Sequence, residues 1–198
     1  MATYRTEFVE ALKLLAGAFA EIMRAGHKRP VIVGGAAVEF YTGGSIVSGD
    51  FDVVTDATRE LEEALIARGF RRPSGAGALL RGVFHPSLGI GVEVVSGELF
   101  DGAADEARVR LVTLDTEGEP VAVPAVEDMI ADRMGQFCAN PAAHGEMLTQ
   151  AIVLYRIAKL DVETPLDEDY LDQRIGYETA GTYSLRFLSE KADEAHDS

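Results

Sequence analysis

Two carboxylates, Asp50 and Asp52, flank one apolar residue in the run GDFDVV. Residues i and i+2 of a strand point to the same face, so this spacing aims two negative charges at one spot. They repel each other, and a cation between them resolves the repulsion. Shortly upstream, the apolar run VIVGG ends in a glycine pair, Gly34 and Gly35. A third acid, Glu93, sits inside the apolar run GIGVEVV, where a charge needs a partner or a metal to offset its desolvation. Glycine turn, paired acids and a third strand acid together point to metal-assisted phosphoryl chemistry. Each also has a plainer reading. The aspartates can mark the polar start of a strand, and the glycines a simple strand-to-helix turn. Glu93 can be the solvent-facing position of an alternating strand whose neighbours Val92 and Val94 face the core.

The apolar pattern supplies the elements that must hold these residues. Phe8, Leu12, Leu15, Phe19 and Ile22 recur at alternating steps of four and three, which is one face of a first helix ending before Gly26. A short strand follows Pro30 over residues 31–33, then a short helix over AAVEFY, a Gly- and Ser-rich loop over 42–49, and a strand over 50–54. Thr58 is placed to cap a third helix, with Glu60, Glu62 and Glu63 near its positive end and a stop near Gly69. Strands are expected over residues 79–84, 90–95, 109–114 and 121–123, with turn chemistry at 74–77 and 115–119. Beyond Pro124 the pattern is helical, over 126–137, 143–160, 167–175 and 183–192. The expectation is an α/β (α+β) fold. A small mixed sheet carries the acids, helices cover its other side, and the domain boundary falls at Pro124. Residues 1–124 then form the core, and 125–198 a helical section packed on it.

Composition narrows the function classes. A formal net charge of −15 argues against an extended nucleic-acid-binding surface. Arg68, Arg71, Arg72 and Arg81 read as a solvated helix end and loop. One cysteine, Cys138, permits no internal disulfide, and the four histidines lack metal-ligand spacing. No apolar run approaches membrane-spanning length and the N-terminus lacks a signal-peptide layout, so a cytoplasmic protein without membrane contact is expected. The apolar face of the first helix suits pairing into a homodimer, and the acidic surface suits masking a basic protein partner. Asp56, about 20 residues after the glycine turn, invites comparison with a dinucleotide-binding unit. The turn reads GGAAVE, however, and lacks the G-x-G-x-x-G spacing.

A strand, a glycine pair, a short helix and a strand bearing Asp-x-Asp, over VIVGGAAVEFYTGGSIVSGDFDVV, is similar to the nucleotidyltransferase superfamily related to DNA polymerase beta. Glu93 falls where that family places its third acid. The segments VPAVEDMIADRM and LDEDYLDQR resemble the helical parts of small prokaryotic members, including proteins near the abortive-infection-type nucleotidyltransferase toxins. The resemblance implies that amides around Gly34 and Gly35 cradle the triphosphate of a nucleoside triphosphate. It implies two Mg²⁺ ions on Asp50 and Asp52, about 3.5–4 Å apart in sites of this kind. Glu93 would ligate the second ion and take the acceptor hydroxyl's proton. Ser48, where threonine is common, and Arg133, on the helix after Pro124, would contact the nucleotide; the alternative for Arg133 is an ordinary surface arginine. The implied activity moves a nucleoside monophosphate to a hydroxyl on a small molecule, a protein or an RNA end. A non-catalytic interaction protein, such as a toxin–antitoxin component, or a nucleotide-binding sensor can use the same scaffold. The chain departs from the family in having glutamate as third acid, where many relatives have aspartate, and in lacking an arginine in GGSIVSG.

Overall fold

The computed structural model of the chain describes residues 4–73, 82–113 and 118–195. The turn expected at 74–77, the start of the strand expected at 79–84 and most of the turn at 115–119 lie outside the described residues. The chain divides into two compact units, Met1–Pro124 and Ala125–Ser198.

The first unit runs α1 (Thr6–Arg24), β1 (Val31–Val33), α2 (Gly34–Tyr41), β2 (Asp50–Val54), α3 (Thr58–Ile66), β3 (Val83–His85) and β4 (Ile90–Ser96). Two short 3-10 turns, Leu99–Gly102 and Glu106–Arg108, lead to β5 (Arg110–Val112) and β6 (Val121–Val123). The strands form one mixed sheet in the order β3-β4-β2-β1-β6-β5. β1 is antiparallel to β2 and parallel to β6, β2 is parallel to β4, and the edge strands β3 and β5 run antiparallel to their neighbours β4 and β6 respectively.

Alternation along β2 divides the sheet into two faces. Phe51 and Val53 turn to the face covered by α1 and α3, joining Ile32 and Val92 in the main core. There α1 buries Phe8, Leu12, Leu15, Phe19 and Ile22 beside Leu61 and Leu65 of α3. The Phe8 ring stacks on Phe51 with centroids 5.1 Å apart. Each such side chain contributes roughly 2 kcal/mol of burial. The face of α1 that the sequence offered to a second subunit is thus covered within the chain. Thr58 does not cap α3: it is the first helical residue, the cap position is Ala57, and the Ala57 amide donates to Thr55 Oγ1 at 3.1 Å.

The opposite face carries a smaller apolar cluster of Val31, Val33, Val54, Leu99 and Ala122, flanked by Phe100 and Val109. The stretch after β4 folds over this face with Phe100 (φ 48°) and Asp101 (φ 53°) in the left-handed region. Each such residue costs roughly 1–2 kcal/mol, offset by burial of Leu99, which is 4 % exposed.

The second unit consists of α4 (Val126–Ala139), α5 (Gly145–Leu160), α6 (Glu168–Glu178) and α7 (Leu185–Glu194). Met129, Ile130, Met134, Leu154, Leu171, Ile175 and Leu188 form its buried apolar interior. Inside it, Arg174 Nε donates to Asp128 at 2.7 Å, Tyr170 Oη donates to the same carboxylate at 2.9 Å, and Arg174 Nη2 reaches Glu178 at 2.7 Å. Burial pushes the Asp128 carboxyl above its usual range, and the bonds from Arg174 and Tyr170 pull the other way. Nothing in the local pattern marks this cluster, because acids near a helix start are ordinary dipole partners. Among the described residues no helix is long and apolar enough to cross a membrane.

Candidate functional site

The sheet register decides which acids meet. Val33 of β1 lies opposite Asp52 of β2, and Asp52 lies opposite Glu93 of β4. Directly opposed residues share a face, so Val33, Asp52 and Glu93 form one row across three strands. Asp50, opposite Gly91, stands on the same face one step along β2. Asp50 is exposed, while Asp52 and Glu93 are half-buried. All three acids therefore share the face that α1 and α3 leave uncovered. Glu93 does alternate with buried Val92, as in its plainer reading, and its outward side is the one Asp52 occupies.

The glycine pair makes this arrangement possible. Gly34 sits at φ +63°, and a Cβ there would lie 2.0 Å from Asp52 Oδ2 and 2.8 Å from its Cγ. A Cβ on Gly35 would lie 2.6 Å from Ser48 Oγ. Only glycine lets the turn at the start of α2 pass so close to both side chains. Its amides stand at the N-terminus of α2, where backbone N–H groups lack intrahelical partners.

Ser48 is 8 % exposed, and its hydroxyl donates to the Asp50 carbonyl at 2.8 Å. It thus braces the backbone of Asp50 rather than pointing a free hydroxyl outward. Behind it lies a clamp that sequence reasoning missed. Glu39 of α2 is 0 % exposed and accepts from the Ser48 amide at 2.6 Å. Arg5, just ahead of α1, donates to Glu39 at 3.3 and 3.0 Å and to the Ser48 carbonyl at 2.6 Å. A signal existed for Glu39: it is a charge inside the apolar run AAVEFY, the same anomaly that marked Glu93. Arg5 carried none.

Three carboxylates offer hard oxygen ligands of the kind Mg²⁺ takes. Among the described residues, no group of three or more His, Cys, Asp or Glu side chains is placed to hold a metal ion. Mg²⁺ does not need one, since it keeps several waters and takes one or two carboxylates plus substrate phosphates. The shared face, the glycine turn and the donor type therefore fit the ion.

Arg133 lies on α4 in the second unit and is not an ordinary surface arginine. It is 5 % exposed, pairs with Asp132 at 2.9 Å and reaches Met147 Sδ at 3.3 Å. Its Nε is buried with no hydrogen-bond partner among the described residues. Burial pushes the Asp132 carboxyl up, against the opposing pull of Arg133 and Gln136. Of the basic cluster, Arg68 is tied to Glu21 and Arg72 to Glu62, while Arg81 lies outside the described residues.

The six-stranded mixed sheet, with helices on one face and carboxylates on the other, is shared with a solved structure. The crystal structure of an antigenic nucleotidyltransferase-like protein from Paracoccidioides brasiliensis matches it with a TM-score of 0.59. That match covers 96 % of this chain and 94 % of the other at 16 % sequence identity, which establishes the shared fold. The solution structure of the antibiotic-resistance factor ANT(2'')-Ia matches at a TM-score of 0.47 and 19 % identity, over 95 % of this chain and 96 % of that one. That second likeness is too loose to support anything further. No protein-family model and no curated protein matches the chain.

Proposed function

We propose that the chain is a Mg²⁺-dependent nucleotidyltransferase that moves a nucleoside monophosphate from a nucleoside triphosphate to a hydroxyl acceptor. The observation that carries this reading is the row of Asp52 and Glu93 across β2 and β4, with Asp50 on the same face and Gly34 closed against Asp52. The amides of Gly34 and Gly35 at the start of α2 bind the phosphates. Asp50, Asp52 and Glu93 are the residues that would hold divalent cations, which would supply neutralisation of phosphate charge and polarisation of the α-phosphate. Gly34 fixes the position of Asp52, and the clamp of Ser48, Glu39 and Arg5 fixes that of Asp50. In the transfer, the acceptor oxygen bonds to the α-phosphorus and the bond to the α–β bridging oxygen breaks. Pyrophosphate leaves with that electron pair, and Glu93 receives the hydroxyl proton. The net charge of −15 favours a small molecule or a protein side chain over an RNA end as acceptor. The nucleotide requirement and the lone Cys138 fit the cytoplasm.

The test is incubation with α-labelled nucleoside triphosphates, Mg²⁺ and a cell extract. Wild-type protein should yield a labelled product, and Asp52→Asn, with an unchanged far-UV circular dichroism spectrum, should yield none. Equal labelling by both refutes the assignment. The absence of a ready-made three-ligand set among the described residues favours a second reading, a non-catalytic interaction protein such as a toxin–antitoxin component. Failure to bind Mg-ATP decides for it, whereas binding without any product identifies a sensor.

A further inference from the structure

An aromatic side chain stands on the acid face. Phe84 of β3 lies opposite Gly91 of β4, and Gly91 lies opposite Asp50 of β2. Directly opposed residues share a face, so Phe84 is on the side of Asp50, two strands away. Its neighbours turn the other way: Val83 joins the main core, and the His85 ring meets Phe70 edge-on at 5.0 Å. Phe84 is 38 % exposed, and its ring has no aromatic partner among the described residues. Its backbone is held on both flanks. It pairs with β4 on one side, and on the other it exchanges two hydrogen bonds of 2.8 Å with Arg71. Val95, two residues along β4 from Glu93 and so on the same side, is 50 % exposed. Along β4, Glu93 therefore stands between two exposed apolar side chains.

Between Phe84 and Asp50 there is a gap. Gly91 has no side chain, and among the described residues a Cβ built on it would meet only Asp50 Cβ at 3.6 Å and the Val83 carbonyl at 3.9 Å. No atom of the Phe84 ring comes within 4 Å of that position, so the ring does not fold over the glycine. The Phe84 and Asp50 backbones are two strand spacings apart, about 9.5 Å. That leaves room over Gly91 for one flat ring in contact with Phe84, at roughly 3.5–4 Å between faces.

We propose that this gap holds the acceptor, and that the acceptor is a small phenol whose ring stacks on Phe84. The proposal rests on the nucleotidyl-transfer reading. In an in-line displacement the incoming oxygen and the leaving pyrophosphate occupy opposite sides of the α-phosphorus. Across the sheet the order is the glycine turn after β1, Asp50 and Asp52 on β2, Gly91 and Glu93 on β4, and Phe84 on β3. The glycine turn takes the phosphates on one flank of the aspartates. The acceptor therefore enters from the other flank, where Glu93 and the gap lie side by side. No buried strip separates them: Asp50 and Phe84 are exposed, and Gly91 and Glu93 are half-buried.

The hydroxyl of a phenol lies in the plane of its ring, so a ring stacked on Phe84 directs it along β4 toward Glu93. The Glu93 carboxylate has no hydrogen-bond or ion-pair partner among the described residues and is free to accept a proton. A phenol, with a pKa of about 10, gives its proton to a carboxylate more readily than a hydroxyl near that of water, about 16. In the transfer the phenolic oxygen bonds to the α-phosphorus and its proton passes to Glu93. The bond to the α–β bridging oxygen breaks, and pyrophosphate leaves with that electron pair.

The test uses 4-hydroxyphenylacetamide and trans-4-hydroxycyclohexylacetamide, which keeps the hydroxyl and the tail but has no aromatic face. Binding is followed through the Gly91 amide and Val95 methyl resonances, with and without α,β-methylene-ATP and Mg²⁺. The phenol should bind about fivefold tighter than the cyclohexanol. Phe84→Leu keeps apolar bulk and should erase that preference. Gly91→Val fills the gap, at a position whose backbone lies outside the left-handed region, and should weaken the phenol by about tenfold or more. Both variants should keep the wild-type far-UV circular dichroism spectrum, and if Gly91→Val does not, Phe84→Leu decides. Equal binding of the two probes to wild type, or a preference that survives in Phe84→Leu, overturns the proposal. Competition between phenol and nucleotide also overturns it, because the gap then belongs to the nucleoside. In the labelling assay with cell extract, saturating phenol should suppress labelling of the extract's own acceptor, and undiminished labelling refutes the acceptor role. The amides of Gly34 and Gly35 report separately. If the nucleotide does not shift them, the nucleotidyl-transfer reading fails and the acceptor role falls with it; if it shifts them and the phenol does not bind, only the acceptor proposal fails.

Discussion

Gly34→Ala tests the centre of the site, and its cost can be worked from the geometry. The backbone term comes from φ +63°, where an L-residue is disfavoured by roughly 1–2 kcal/mol. Loss of unfolded-chain freedom returns about 0.4–1 kcal/mol, leaving a net cost near 1 kcal/mol. The steric term is larger. The new Cβ would lie 2.0 Å from Asp52 Oδ2, 2.8 Å from Cγ and 3.0 Å from Cβ, so rotating the carboxylate alone does not clear it. Asp52 must shift bodily, at roughly 1–3 kcal/mol by analogy with overpacked cores. The total is about 2–4 kcal/mol in the wild-type background. In an Asp52→Ala background only the 3.0 Å contact remains, and the substitution should cost about 1 kcal/mol, leaving a coupling of roughly 1–3 kcal/mol between the two positions. Native-state hydrogen exchange of the β1 and β2 amides is the suitable assay, because a chain of two units need not melt in one transition. An equal cost in both backgrounds would show that Asp52 does not pack against Gly34, and the account of the glycine turn would fail.

Two further outcomes are expected. Arg5→Ala leaves buried Glu39 without its cation and should destabilise the first unit by roughly 3 kcal/mol, the lower end for such pairs because the Arg5 side chain is 35 % exposed. The Ser48 amide should lose exchange protection first, and unchanged protection across residues 42–50 would count against the clamp. Asp132→Asn should alter the pH dependence of the second unit. Burial raises the Asp132 carboxyl in the folded chain, so its contribution to stability is fully present below the unfolded carboxylate range and is lost as pH rises through the raised folded value. As pH rises above the unfolded carboxylate range, the variant should therefore lose less stability than wild type, even if its absolute stability is lower with Arg133 unpaired. A slope identical to wild type removes Asp132 from the explanation.

Features set by short-range physics were legible in the order of the residues. Two-residue alternation in DFDVV put Asp50 and Asp52 on one face and Phe51 and Val53 on the other. Steps of four and three drew the buried face of α1 residue by residue. The glycine pair announced a turn that no side chain could occupy. Each of these is written within a few neighbours, in strand or helix period or backbone sterics. Where Glu93 meets Asp52, why Gly34 must be glycine, how Arg5 and Glu39 brace Ser48, and that Phe84 stands across Gly91 from Asp50 were decided by pairings between distant segments. Register is set by the whole sheet, and a one-residue slip of β4 would send Glu93 to the covered face with the local pattern unchanged. The burial of Arg133 was equally out of reach. Burial is a property of what packs around a residue, and only the tertiary structure supplies that.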